Sequence, residues 1–265
     1  MGSGGGEIAR TVAERLGYRH AGSEELAKVA ARYGLVAERL AHFGEAKPSL
    51  LERLSAETRL YLVVIQAAVY ELAEQDNVVL LGRGGQWLLG GVGHALRLRV
   101  IAPFPARVSQ LCCKLAEQAQ PVSPDRVREM VRRDDADKAG RARYLYDSEL
   151  NDPALYDLVL NTETAVVDSF VQLVAQLVER PELAATPESR QLVADRALNS
   201  RVQATLLAAG ETRCYRIEVE AKSGVVFLAG TADLEEAARV AQQVPGVSRV
   251  VTRPIEIRPI PPVIM

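Results

Sequence analysis

Cysteine and histidine are scarce in this chain of 265 residues, with three of each. Cys112, Cys113 and Cys214 lack the spacing of metal ligands, and an odd count suits a reducing compartment better than a disulfide framework. Cys112 and Cys113 are neighbours on an expected helix, point in different directions, and read as small core residues. His20, His42 and His94 are isolated, so no metal site is assigned. An excess of one charge is also missing. The net charge is −2, which argues against a global field for nucleic acid or a membrane surface. No apolar run is long enough to span a bilayer and no leader pattern is present, which predicts a cytoplasmic protein without a transmembrane segment. What remains is ordinary globular composition, 48% apolar and 25% charged, with length enough for two units and a sizeable core in the larger.

The informative stretch is Asn77 to Pro103. Val78 to Leu81 is a continuous apolar run, the pattern of a parallel strand covered on both faces. Gly82, Gly84 and Gly85 break it around Arg83, Gln86 to Leu89 can form one helical turn, and Leu96 to Ile101 reads as the next strand. In open α/β sheets ligands bind beyond the carboxyl ends of strands. Arg83 stands there on backbone that glycine allows to approach a ligand, and arginine suits bidentate phosphate recognition. A tight turn with a solvated arginine fits the same residues.

Upstream, Gly2 to Gly6 (GSGGG) runs into a helix from Glu7 to Leu16. A glycine turn entering a helix N-terminus is an anion site, since free N–H groups and the helix dipole both favour phosphate. A flexible tail is the competing reading. Ser23 is expected to cap a helix reaching about Tyr33, and Ser49 to Glu74 forms one long helix or two, after punctuation at Gly44 to Pro48. Phe104 to Glu117 and Ser123 to about Ala139 are the next helices. The second ends in Arg132 to Asp147, a charged stretch with two tyrosines that by default is a solvated face. Tyr156 to Leu160 is a buried strand, and Asn161 and Thr162 are expected to cap a helix from Ala165 to Glu179. The alternation of strands and helices over residues 1 to 180 predicts a parallel sheet with helices on both faces.

Residues 2–10 (GSGGGEIAR), 80–89 (LLGRGGQWLL), 94–103 (HALRLRVIAP), 137–144 (DKAGRARY) and 152–162 (DPALYDLVLNT) together resemble the cytidylate kinase-like proteins. The resemblance implies a P-loop nucleoside monophosphate kinase fold with a phosphate loop, a helical acceptor insert and a lid, using ATP and Mg²⁺. Transferred residue by residue, Gly2, Ser3, Gly4, Gly5 and Gly6 are the phosphate-loop remnant. Arg83 and Ser23 bind the monophosphate. Arg133, Arg141 and Asp137 are catalytic, the arginines neutralising the transferring phosphoryl group. Asp134 and Arg143 complete the lid, and Asp134 and Asp137 orient the arginines. Three features depart from the family pattern. The loop lysine and hydroxyl are missing, Gly84 stands where cytidylate kinases have aspartate, and the first strand has no counterpart. From the last, the sequence predicts an open gap in the sheet, poor triphosphate binding and little phosphoryl transfer.

Residues 181–190 form an expected linker, PELAATPES with Arg190, ahead of a second unit at 191–258. Its order is an amphipathic helix from Gln191 to Leu207, a strand from Tyr215 to Glu220, a hairpin turn at Ser223-Gly224, a strand from Val225 to Ala229, a helix from Asp233 to Val244 and a strand from Val247 to Ile257. It resembles the BON domain through Ile217 to Val219, SGVVFLAGTA and VPGVSRVVTRPIEI. The resemblance implies a binding module with a protein or lipid partner and no catalytic residues. Residues 259–265 are a proline-rich tail. The expected fold class is therefore a P-loop kinase-like α/β domain lacking its first strand plus a small α-β-β-α-β unit. Two functions follow: phosphoryl transfer from ATP to a pyrimidine nucleoside monophosphate, or a degenerate nucleotide-sensing protein whose BON unit docks a partner.

Overall fold

The computed structural model describes residues 1–34, 56–120, 122–163, 166–209, 217–230 and 234–254. His42, Cys214, the 44–48 punctuation and the 259–265 tail lie outside them. The N-terminal part is built from α1 (Gly5–Leu16), β1 (Arg19–Ala21), α2 (Ser23–Ala31), α3 (Ala56–Glu74), β2 (Val78–Leu80), α4 (Gly85–Leu88), β3 (Leu98–Ile101), α5 (Phe104–Glu117), α6 (Pro124–Tyr146), β4 (Leu158–Asn161) and α7 (Val167–Val178). Its strands form two parallel pairs, β1 with β2 and β3 with β4, registered Ala21 to Leu80 and Val100 to Leu160. Among the described residues no ladder joins the pairs.

Strand β2 is covered on both faces, as its unbroken apolar run requires. Val78 and Leu80 pack on the core made by α2 and α3, which contains Leu26, Val64, Ala68 and Leu72. Val79 turns to the opposite core, where Ile8 and Val12 of α1 meet Val171 and Val174 of α7. Leu98, Val100, Leu158 and Leu160 join that second core, so α1 lies against both strand pairs. Helices α5 and α6 form a hairpin around Val108, Leu111, Val127 and Val131.

Several expectations need correction. β1 was not anticipated; Arg19 and His20 make this three-residue strand polar and hide it from a search for apolar runs. The cap of α2 is Gly22, and Ser23 is its first residue. Helix α6 keeps its expected Ser123 cap, whose Oγ accepts from the Arg126 N–H, but it continues to Tyr146 rather than ending near Ala139. Asn161 belongs to β4 and Val166 precedes α7, so Asn161 and Thr162 do not cap that helix.

The C-terminal part has α8 (Pro187–Ala208), β5 (Ile217–Lys222), β6 (Val225–Gly230), α9 (Glu235–Gln242) and β7 (Arg249–Pro254). Thr186 starts α8 with a capping box, its hydroxyl accepting from the Ser189 N–H at 3.2 Å, so residues 187–190 are helix rather than linker. The β5–β6 hairpin turns on Ser223 and Gly224, both with positive φ (48° and 81°), as a two-residue turn of the primed type needs. β7 then adds parallel to β6. Helix α8 is not one-sided, as the sequence suggested. Leu198, Val202 and Leu206 face the sheet and α9, while Ala204 and Leu207 pack into the core of α3. The helix serves two cores, so its apolar residues are spread around it.

Candidate functional site

The turn after β2 carries Gly82, Arg83 and Gly84 in succession at φ of 77°, 56° and 81°. Glycine adopts this left-handed region freely; an arginine held in it is uncommon. The chain is pulled tight here because α4 begins at once, with the Gly85 N–H donating to the Gly82 carbonyl at 3.2 Å. The guanidinium Nη2 of Arg83 donates to Ser23 Oγ at 3.2 Å across 60 residues of chain. Strands β1 and β2 run parallel, so both residues leave the same carboxyl edge. The two residues assigned to the monophosphate are thus neighbours.

The glycine loop stands at the carboxyl ends of both strand pairs. A β-carbon on Gly5 would touch Val100 of β3 at 3.4 Å, and one on Gly6 would lie 3.9 Å from Leu81 beyond β2. Ser3 is tied to the end of β4 by the Thr162 hydroxyl, which donates to its carbonyl at 3.1 Å. Gly2 lies against the backbone of α5, where a β-carbon would meet the Arg107 carbonyl at 2.4 Å. Gly4, at φ 73°, opens α1, whose first N–H groups have no partner within the helix. The loop is anchored, contrary to a flexible tail.

Helix α6 presents Arg133, Asp137 and Arg141 at four-residue intervals, one stripe of its surface. Arg133 is exposed and stands 3.9 Å from Asp137. Arg141 is half-buried, and its Nη1 is buried with no hydrogen-bond partner. Asp134 does not orient an arginine, as the resemblance suggested. It accepts from Lys138 at 2.8 Å and from the Met1 ammonium at 2.5 Å. Burial opposes its charged form, yet these two donors hold its carboxyl below the ordinary carboxylate value. Arg143 turns to Glu149, at 2.7 and 3.1 Å, away from the Arg133 stripe. The neighbouring Asp135, not singled out from sequence, grips Arg107 with two bonds of 2.7 Å. No cluster of His, Cys, Asp or Glu among the described residues could hold a metal ion.

Beneath the Arg83 turn lies an aromatic group that sequence reasoning missed. Trp87 of α4 stacks on Tyr146, the last residue of α6, with ring centres 4.3 Å apart and planes 10° apart. Burial pushes the Tyr146 hydroxyl well above the usual tyrosine value. The Tyr70 hydroxyl donates to the Leu88 carbonyl at 3.0 Å. Two tyrosines in the charged end of α6 were the available sign that this stretch has a buried side.

Residues 1–164 match the profile of the cytidylate kinase-like family, and residues 194–259 match the BON domain. The chain belongs to the cytidylate kinase-like family. It is similar to the cytidylate kinase of Methanoregula boonei, 27% identical over 180 residues, which is 68% of this chain and 90% of that protein. It is also similar to the cytidylate kinase of Methanocaldococcus jannaschii, 24% identical over 185 residues, 67% of this chain and 93% of the other. Among solved structures, an uncharacterised protein from Eubacterium ventriosum has the same fold over 67% of this chain and 93% of its own, with a TM-score of 0.52 at 15% identity. The N-terminal part is therefore nucleotide kinase-like, and the C-terminal part is a recognised binding module. No helix among the described residues is long and apolar enough to cross a membrane.

Proposed function

We propose that the cytidylate kinase-like part binds a pyrimidine nucleoside monophosphate at Arg83 and Ser23 and catalyses transfer of a phosphoryl group to it from ATP. The observation that carries this reading is the Arg83–Ser23 contact at the carboxyl edge of the β1–β2 pair. A phosphate would take up the guanidinium that Ser23 now engages, and the serine hydroxyl would add a bond to the acceptor. The free N–H groups at the start of α1 would receive the donor phosphates. Arg133 and Arg141 would come over the transferring group from α6. The partnerless Nη1 of Arg141 supports this role, since a buried guanidinium nitrogen that the protein leaves unpaired is suited to a ligand oxygen. Asp137 would keep Arg133 near that position. ATP brings Mg²⁺, whose charge offsets that of its phosphates; with no acidic cluster among the described residues, phosphate oxygens and water would supply most of its ligands.

A second reading has its own support. Gly5 and Gly6 stand where a phosphate loop would carry its lysine and hydroxyl, so the loop grips through backbone alone. On this reading the chain holds a nucleotide without turning it over, and its BON unit docks a protein or lipid partner. Calorimetric titration with CMP, UMP and ATP–Mg²⁺, followed by analysis for the nucleoside diphosphate, separates the two. Diphosphate formation supports transfer; monophosphate binding without product supports the holding role; failure of every nucleotide to bind contradicts both.

A further inference from the structure

The BON unit shares its first helix with the kinase-like core, and that helix reaches the end of α4, the short helix that follows the Arg83 turn. Arg196 of α8 donates from Nη1 to the Leu88 carbonyl and to the Gly90 carbonyl, both at 2.9 Å. It spans 108 and 106 residues of chain to do so. These carbonyls lie at the end of α4, where backbone acceptors lack partners within the helix and a cation is favoured by the dipole. A helix as short as Gly85–Leu88 cannot fix its own orientation; the first turn costs more order than its bonds return.

The turn is held from outside at both ends. At its start, Tyr146 closes over Gly84 and stacks on Trp87. At its end, Arg196 binds the Leu88 and Gly90 carbonyls, with Tyr70 sharing Leu88. Arg83 comes immediately before these restrained residues, the middle one of three left-handed residues that lack regular secondary structure of their own, so its direction depends on how the α4 segment behind it is held. We infer that Arg196 is a positioning residue for the monophosphate site, so that the helix of the BON unit sets the direction in which Arg83 points. The inference rests on the reading of Arg83 as the monophosphate ligand.

Arg201 provides the internal comparison. It lies on the same helix and also joins the two units, donating to Glu74 at 2.8 Å and to the Pro245 carbonyl at 2.8 Å, but it does not touch α4. Loss of Arg201 loosens the junction without releasing the turn. Trp87 is the only tryptophan in the chain and sits in α4 itself, so its fluorescence reports the turn with no ligand present.

The test uses the full chain as Arg196→Ala, Arg196→Lys and Arg201→Ala. The readouts are acrylamide quenching of Trp87 and calorimetric affinity for CMP and for ATP–Mg²⁺. In Arg196→Ala, quenching of Trp87 rises and CMP affinity falls about tenfold, the scale of one or two lost hydrogen bonds, while ATP–Mg²⁺ affinity holds. Arg196→Lys, which keeps a cation at the carbonyls, recovers part of both changes and serves if the alanine variant does not fold. Arg201→Ala lowers thermal stability but leaves both readouts near those of the parent chain. Unchanged Trp87 quenching in both Arg196 variants overturns the inference, and so does an equal loss of CMP affinity in Arg201→Ala. If the parent chain binds no CMP, the Arg83 reading fails on its own, and Trp87 quenching alone then decides whether Arg196 positions the turn.

Discussion

Tyr146 occupies the space into which a side chain at position 84 would project: a β-carbon on Gly84 would lie 2.3 Å from the Tyr146 hydroxyl oxygen. The glycine that replaces the aspartate expected after Arg83 is therefore matched by a tyrosine from the end of α6. The Arg83 turn and the C-terminal end of α6 meet at this contact.

Gly84→Ala tests that contact. The new methyl overlaps Tyr146 and must also adopt φ 81°. Overpacking and the left-handed backbone together predict a loss of about 2 to 4 kcal/mol in denaturant unfolding. In a Tyr146→Ala background the same change costs only the backbone part, about 1 to 2 kcal/mol. Equal costs in the two backgrounds would show that Tyr146 is not the obstacle.

Glu71 is the buried carboxylate of the junction, 8% exposed on α3. It accepts from Arg32 at 2.6 Å and from the Tyr33 hydroxyl, and Arg201 approaches it to 3.7 Å from the BON side. Glu71→Gln removes the charge and leaves these donors underused, so stability should fall by about 1 to 3 kcal/mol. A neutral result would mean that the arginines are satisfied elsewhere.

Asp157 ties the starts of β3 and β4 together, accepting from the Arg97 backbone N–H at 2.7 Å and from its guanidinium at 2.7 and 3.1 Å. The Arg97 side-chain bonds hold its carboxyl below the ordinary value of 3.8. A carboxylate with a lowered folded pKa adds stability that is full above its unfolded pKa and is lost as pH falls through the folded one. Below pH 3.8, then, the parent chain should lose stability more steeply than Asp157→Asn. Parallel acid limbs in the two chains would remove Asp157 from this role.

The ligand role proposed for Arg141 carries a cost in stability. Its Nη1 is buried without a partner, so replacing the side chain by methionine should leave the melting temperature unchanged or raise it. The same variant should lose the added thermal stabilisation that ATP–Mg²⁺ gives the parent. A variant that melts lower and still responds to nucleotide would make Arg141 structural.

What the sequence revealed, and what it hid, follows from distance along the chain and from strand composition. β2 and β4 announced themselves as short apolar strands and β3 as a strand stopped by Pro103, and the helices from α5 onward as periodic stretches. β1 did not, because Arg19 and His20 occupy most of it. Ser23 and Arg83 are both assigned to the monophosphate by resemblance alone, and their 3.2 Å contact, across 60 residues of chain, has no local signal in the sequence. Asp134 was misread because its donors, Lys138 and the Met1 ammonium, come from a neighbouring turn and from the far end of the chain. Nor could local pattern reveal that α8 would bury two faces, since that depends on α3 lying beside it. Arg196 was invisible for the same reason, because its partners are carbonyls, which carry no sequence signal.

The most direct measurement is a calorimetric titration of the full chain and of Arg83→Ala with CMP. Arg83 is partly exposed and donates one bond, to a serine, so its removal should barely change the melting temperature. The parent chain should bind CMP, and Arg83→Ala should lose at least about tenfold in affinity, the scale of a charge-assisted phosphate contact. Equal affinity in the two chains, or a variant that unfolds while its folded fraction still binds as the parent does, would contradict it.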